Sequence, residues 1–288
     1  MPLVFVPTPL GNLGDVTQRA IDALRDAELI IAEDTRVARR LLGALGIPGR
    51  EIWSYREQNA AGSTPGILER ARDGLVVVTT DAGMPGISDP GSDLVAAARA
   101  RGVPVEVLPG PSAVLGVAVL SGFPLRRFGF EGFPARGSAA RRAGFREALR
   151  AGMTTLWFES PQRIHEALAD LAAVAPDSRV FLVREYTKLH EQQLLGSPVE
   201  VAAALANPVR GEVAFAVAPY GDGPAAGAAE ATDSQIDDLL EGGLKVAEVA
   251  RQLAKDGLGD RHELYARAQE RRRRGIGGKG EAASSEEA

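Results

Sequence analysis

Five short, mostly apolar runs punctuate the N-terminal part of the chain: "LVFV" (3–6), "LIIA" (29–32), "EIWS" (51–54), "LVVVT" (75–79) and "VPVEVL" (103–108). Between them, residues 17–27, 35–45, 64–73 and 92–101 carry the apolar spacing of helices. Runs too short to be helices and nearly all apolar are expected to be buried on both sides. That is the condition of strands in a sheet covered by helices above and below. Strand and helix alternating at this spacing leave one arrangement, a largely parallel sheet whose helices serve as crossovers.

The stretch "PGPSAVLGVAVLSG" (109–122) reads as a turn feeding a tightly packed helix, with Ser112 as its N-cap or as a ligand donor. Gly122 and Pro124 mark a boundary, and a second α/β unit follows. Its expected strands are 128–133, 154–159, 179–185, 191–197 and 212–218, with helices near 139–151, 161–174 and 198–206. Ser160 and Pro161 suit the N-cap and first position of the middle helix. Several of these strands stand too close together for helical crossovers, so this sheet is expected to be mixed. The expectation is an α/β chain of two α/β domains, 1–120 with a parallel sheet and 121–220 with a mixed one. A linker at 221–232, a helical tail unit at 233–274 and a disordered tail at 275–288 complete it.

Composition narrows the function. The chain has no cysteine, which removes disulfides and thiolate metal sites, and His165, His190 and His262 are too scattered to suggest a metal centre. No stretch approaches the roughly 20 apolar residues of a membrane span. The start, "MPLVFVPTP", lacks the basic segment of a secretory signal, and the absence of cysteine fits a cytoplasmic enzyme. Net charge is -5, but basic residues are concentrated. Seven arginines fall between residues 126 and 150 against two glutamates, and nine basic residues against five acidic ones between 245 and 274. Such zones on an acidic protein suit selective contact with a polyanion; each equally suits a solvated helix face.

Glycine- and proline-rich turns follow several expected strands: "PTPLGNLGD" (7–15), "DAGMPGISDPG" (81–91), "PGPSA" (109–113) and "RGEVA" (210–214). In a parallel sheet the crevice for ligands lies beyond the carboxyl ends of the strands, where at least the first three would meet. Neither the dinucleotide pattern G-x-G-x-x-G nor the phosphate-cradling G-x-x-x-x-G-K-[ST] is present. The second turn carries Asp81, Asp89 and Asp93, with no Lys or Arg between Arg72 and Arg99. An acidic loop favours a ligand with hydroxyls, amines or positive charge, and S-adenosylmethionine has all three.

The order "VPTPLGNLGD", "AEDTR" (32–36), "DAGMPGISDPG", "LPGPSA" and "FES" (158–160) resembles the tetrapyrrole methylase superfamily. More closely it resembles the ribosomal RNA small subunit methyltransferase I branch, over about residues 3–220, and "ELYARA" (263–268) in the tail also fits. The resemblance implies a homodimer that binds S-adenosylmethionine between two α/β domains. It implies methylation of a cytidine ribose 2′-hydroxyl in the decoding region of 16S ribosomal RNA, within the small ribosomal subunit. Carried over by residue, Leu10, Asp81, Met84, Ser112 and Ala113 contact the donor from the first domain, and Phe158, Glu212, Val213 and Ala214 from the second. Met84 departs from the smaller, often hydroxylated residue expected there. Phe133 and Pro134 are placed by the same resemblance in a basic "GF-P" region that meets RNA, with Arg136, Arg141 and Arg142 reaching phosphates.

Methyl transfer to oxygen needs positioning, exclusion of water and an acceptor for the hydroxyl proton. The candidates are Asp34, with Glu33 and Arg36, in "EDTR"; Asp89; and Glu185, Lys188 and Glu191 of "REYTKLHE" (184–191). Lys188 and Glu185 have the pattern of a site at a strand end, while Asp34 or Thr35 also suits a helix cap. The residues leave two other readings open, a small-molecule tetrapyrrole methylase and an inactive RNA-binding adaptor with the same fold.

Overall fold

The structure, a computed structural model, describes residues 2–219, 226–255 and 261–273. Residues 1–220 form one compact unit and residues 221–288 another. The expected tail at 275–288 and the first part of the expected linker lie outside the described residues.

In the first half of the larger unit, β1 (Leu3–Phe5), β2 (Leu29–Ala32), β3 (Glu51–Ser54), β4 (Val76–Thr79) and β5 (Val105–Val107) form a sheet in the order β3-β2-β4-β1-β5. Every pairing is parallel, with Leu3 opposite Val76 on one side and Val105 on the other. The three central runs, β1, β2 and β4, are buried on both faces for a visible reason, whereas β3 and β5, at the sheet's edges, are partly exposed. Leu3, Phe5, Ile31, Val76 and Val78 point one way, into Ile67 and Leu68 of α3 (Ala60–Asp73) and Leu94 and Ala98 of α4 (Ser92–Ala100). Val4, Ile30 and Val77 point the other way, into Ala20 and Leu24 of α1 (Gln18–Asp26) and Leu42 of α2 (Thr35–Ala44).

The second sheet is mixed. It comprises β6 (Phe128–Gly132), β7 (Thr154–Glu159), β8 (Val180–Arg184), β9 (Gln192–Gly196) and β10 (Val213–Val217), in the order β6-β7-β10-β8-β9. Only β6 and β7 run parallel; β8 and β9 form a hairpin across a short connection, and β10 inserts antiparallel between β7 and β8. Trp157, Leu182 and Phe215 pack under α6 (Ser138–Arg150), α7 (Ile164–Val174) and α8 (Pro198–Ala204). On the other face, Leu156, Phe181, Val183 and Ala216 pack on Val117 and Ala118 of α5 (Ala113–Ser121). Helix α5 therefore leaves the first sheet at its ligand end and lies on the second, which joins the two halves at one cleft.

Three boundaries differ from the sequence reading. Helix α3 begins at Ala60 and carries Pro65 inside it. Asn59 stabilises the approach to it, accepting from the Arg56 amide (2.7 Å) and donating to the Ser54 carbonyl (3.0 Å). Helix α7 begins at Ile164, because Ser160 starts a turn closed by the Arg163 amide (3.1 Å); Ser160 and Pro161 are not its cap and first residue. In the smaller unit, α9 (Ala226–Glu241) starts within the stretch read as a linker, where alanines favour helix. With α10 (Val246–Lys255) and α11 (Arg261–Arg273) it encloses Ile236, Leu240, Val249, Leu253 and Leu264. Arg267 and Arg271 of α11 pair with Asp233 and Asp237 of α9.

Candidate active site

The loops after β1, β4 and β5 meet at the carboxyl ends of their strands. Thr8 and Gly83 exchange backbone hydrogen bonds of 2.9 and 3.0 Å, and the Thr8 hydroxyl donates to the Thr80 carbonyl (3.1 Å). Gly83 has φ of 84°, which glycine adopts without strain, and a side chain there would press on Leu10. Gly110 of the third loop lies against the Pro7 ring. These contacts fix Leu10, Ala82 and Ala113 side by side.

Opposite them stand Phe158 of β7 and Val213 and Ala214 of β10, where Ala214 is the cross-strand partner of Phe158. Together they line an apolar cavity of about 280 Å³, with Glu212 at its edge. A second lobe of about 300 Å³ shares Leu10, Ala113 and Phe158 and adds Met84, Ser112, Glu33 and Asp89. The Phe158 ring is held edge-on by Phe130 (4.9 Å between centroids) and Phe133 (5.8 Å). Ser112 also caps α5, its hydroxyl accepting from the Leu115 amide at 3.5 Å.

Asp81 is placed differently. It lines neither lobe; its carboxylate accepts from the Asp34 amide (3.1 Å) and so ties the acidic loop to the start of α2. Asp34 is the N-cap of that helix, bonded to the Arg36 amide (2.8 Å) and to the Arg36 guanidinium (2.6 Å). Those bonds hold its carboxyl far below the ordinary range. An ionised cap with both oxygens engaged stabilises the helix start and is a weak proton acceptor.

Lys188 and Glu185 stand outside both lobes. The Lys188 ammonium bridges Glu185 and Glu212, each at 2.9 Å. Burial opposes its charge, but the two carboxylates outweigh burial and raise its pKa. Glu185 likewise titrates below its usual range: burial is overcome by Lys188, the Glu212 amide and Arg184. This is a charged pair with its protons settled. Glu191 accepts from the Thr187 amide (2.8 Å) and closes the same loop.

The polar lobe behaves in the opposite sense. Burial, then the charges of Asp89 and Asp81, raises the Glu33 carboxyl against the Thr80 hydroxyl and Arg56. Burial also raises Asp89, opposed by the Thr80 bond and helped by Asp81. Thr80, which the sequence reading passed over, sits between them at 2.7 Å from Asp89 and 3.3 Å from Glu33. Its signal was a second polar residue closing an otherwise apolar strand.

In the basic zone, Arg136 is exposed and Arg142 is half exposed, bonded to Asp170 at 2.6 Å. Arg141 is not available to phosphate. It is 3% exposed, paired with Asp170 at 2.8 Å, and donates to the carbonyls of Ala135 and Arg136. Arg163, unremarked in the sequence, holds the Pro134 carbonyl (2.6 Å) and Glu159 (2.9 Å). Two arginines thus shape the 133–137 loop from beneath.

Comparison with known proteins adds an independent line. A family model described as Tetrapyrrole (Corrin/Porphyrin) Methylases matches residues 2–202. A ribosomal RNA small subunit methyltransferase I of Thermotoga maritima is 40% identical over 69% of this chain and 89% of its own. A protein of that name from Neisseria meningitidis serogroup B is 38% identical over 88% of each. Among solved structures, uroporphyrin-III C-methyl transferase from Thermus thermophilus, complexed with S-adenyl homocysteine, superposes with a TM-score of 0.54 at 21% identity. That match covers 76% of this chain and 97% of the other, and it speaks to the fold.

Proposed function

The chain belongs to the tetrapyrrole methylase family, within its ribosomal RNA small subunit methyltransferase I branch, and from that premise we propose that it methylates a cytidine ribose 2′-hydroxyl in the decoding region of 16S ribosomal RNA. The observation that carries the reading is the charge of the cleft. Among the described residues no Lys or Arg lines either lobe, while Glu33 and Asp89 line one and Glu159 and Glu212 border the other, which is otherwise mostly apolar. Such a site repels phosphate and suits a cation. It fits S-adenosylmethionine, with the apolar lobe accepting a flat neutral ring and the acidic lobe facing positive charge.

Bound there, S-adenosylmethionine supplies an electrophilic methyl group. The protein supplies the rest. Leu10, Ala113, Phe158 and Ala214 exclude water, and the backbone links between Thr8 and Gly83 keep the walls at fixed spacing. Arg136 and Arg142, displayed on the loop that Arg141 and Arg163 brace, are the phosphate contacts of this reading. The assignment extends to the small ribosomal subunit as substrate, to a cytoplasmic setting and to a homodimer. In support of self-association, α5 exposes Leu115 and Val119, one turn apart. No helix among the described residues is long and apolar enough to cross a membrane.

The test is incubation of the protein with labelled donor and unmethylated small subunits. Label in the ribosomal RNA supports the reading. Label in a porphyrin or corrin precursor, offered in parallel, supports the small-molecule alternative, and no transfer to either supports an inactive adaptor.

A further inference from the structure

Methylating a ribose hydroxyl releases one proton, and most ionisable groups near the cleft cannot take it. Lys188 is already an ammonium between two carboxylates. Asp34 is bonded to Arg36 through both oxygens, and Glu185 is ion-paired with Lys188 and bonded to the Glu212 amide, outside both lobes. Glu159 is buried and bonded to Arg163 and the Ser160 amide. Glu212 stays bound to Lys188. Asp81 is turned to the Asp34 amide. Glu33 and Asp89 remain, and both line the polar lobe.

One hydroxyl serves both of them. Thr80 has a single hydrogen, and the 2.7 Å contact assigns it to Asp89, whereas Glu33 stands 3.3 Å from the same oxygen. Glu33 therefore faces a hydroxyl lone pair. An unprotonated Glu33 gains little there, but a protonated one donates to the Thr80 oxygen, which in turn donates to Asp89. A proton placed on Glu33 is thus stabilised by a chain of two hydrogen bonds.

Building on the ribose-methylation reading, we propose that Glu33 is the catalytic base that receives the 2′-hydroxyl proton, with Thr80 and Asp89 as positioning residues behind it. In the balanced step the ribose oxygen gains the methyl carbon and the sulfonium sulfur keeps the electron pair of the bond it loses. The hydroxyl proton passes to Glu33. The charged groups that face Glu33 are Asp89 and Asp81, which strengthen it as a base, and Arg56, which weakens it.

The experiment compares wild type, Glu33→Gln and Asp89→Asn in single-turnover methyl transfer to small subunits across pH, with calorimetric binding of S-adenosylhomocysteine. Wild-type rate should rise with pH with unit slope and then level off. Glu33→Gln should lower the plateau rate at saturating donor by about 100-fold or more and abolish that limb, with S-adenosylhomocysteine affinity falling by no more than about tenfold because Glu33 also borders the donor lobe. Asp89→Asn removes a like charge, so the limb should move to lower pH; a merely structural role would leave it in place. Should Glu33→Gln fail to fold, Glu33→Asp should keep the limb at a reduced rate. A Glu33→Gln variant within about threefold of wild type overturns the proposal. So does a loss of S-adenosylhomocysteine affinity as large as the loss of rate, which would make Glu33 a donor-holding group and nothing more. Wild-type protein that transfers no methyl to ribose overturns the underlying reading, a result separable from the variant effects.

Discussion

The aliphatic stem of Lys188 lies against the backbone of Gly11, in the volume that any side chain at residue 11 would occupy. Gly11 belongs to the loop after β1, while Lys188 belongs to the loop after β8 and anchors Glu185 and Glu212. One lysine thus clamps the loop after β1 to the loop after β8 and to Glu212 beside β10.

Gly11→Ala should displace that stem and loosen the clamp, costing about 1–3 kcal/mol of stability, as overpacking does. In a Lys188→Ala background the same substitution should cost clearly less, because the obstructing stem is gone. Urea unfolding of the four proteins measures this coupling; equal penalties in both backgrounds would show that the contact is not the cause.

The clamp's charge state sets its pH range. Glu185 is lowered on folding, so its contribution is present above its unfolded pKa and fades as pH falls through the lowered value. Lys188 is raised, so its contribution is present below its unfolded pKa and fades as pH climbs through the raised value. The stability lost in Lys188→Met should therefore be constant between about pH 6 and pH 9. A difference that shrinks near neutrality would mean that the lysine titrates there and is free to act as a base.

Arg141 and Arg136 should separate stability from RNA binding. Arg141→Ala removes one buried cation from Asp170, which keeps Arg142 and Ser138, and should cost about 1–3 kcal/mol in denaturant unfolding. Arg136→Ala should leave unfolding almost unchanged but weaken retention of small subunits, and should lower the slope of affinity against salt by about one. An Arg136→Ala variant that keeps full affinity at every salt concentration would remove that residue from the interface.

The carboxylate of Asp81 should act on donor binding through the Asp34 amide. Asp81→Ala unties the acidic loop from α2 and is expected to weaken S-adenosylhomocysteine binding about tenfold. Binding equal to wild type in calorimetry would show that the loop holds its shape without this bond.

Some of this was legible in the sequence and some was not. The parallel sheet was, because strands such as Val76–Thr79 are apolar on both faces and nothing else buries both. The cleft was too, since loops after parallel strands converge and Asp81 to Gly91 lacks any basic residue. The fate of individual charges was not. Arg141 sits in a run of arginines that all look solvated, and only Asp170, brought beside it by α7, turns it inward. Asp34 carried two meanings in sequence, base or cap, and the Arg36 amide decides for the cap. Thr80 gains its importance from Glu33 and Asp89, which only the fold brings to either side of it.

The central claim is methyl transfer to a ribose oxygen, and alkaline hydrolysis of the product tests it most directly. A 2′-O-methyl group removes the hydroxyl that cleaves the neighbouring phosphodiester. Small-subunit RNA labelled by this protein should therefore release its label in an alkali-resistant dinucleotide that begins with cytidine. Label recovered in an ordinary mononucleotide, which places the methyl on a base, would contradict the account.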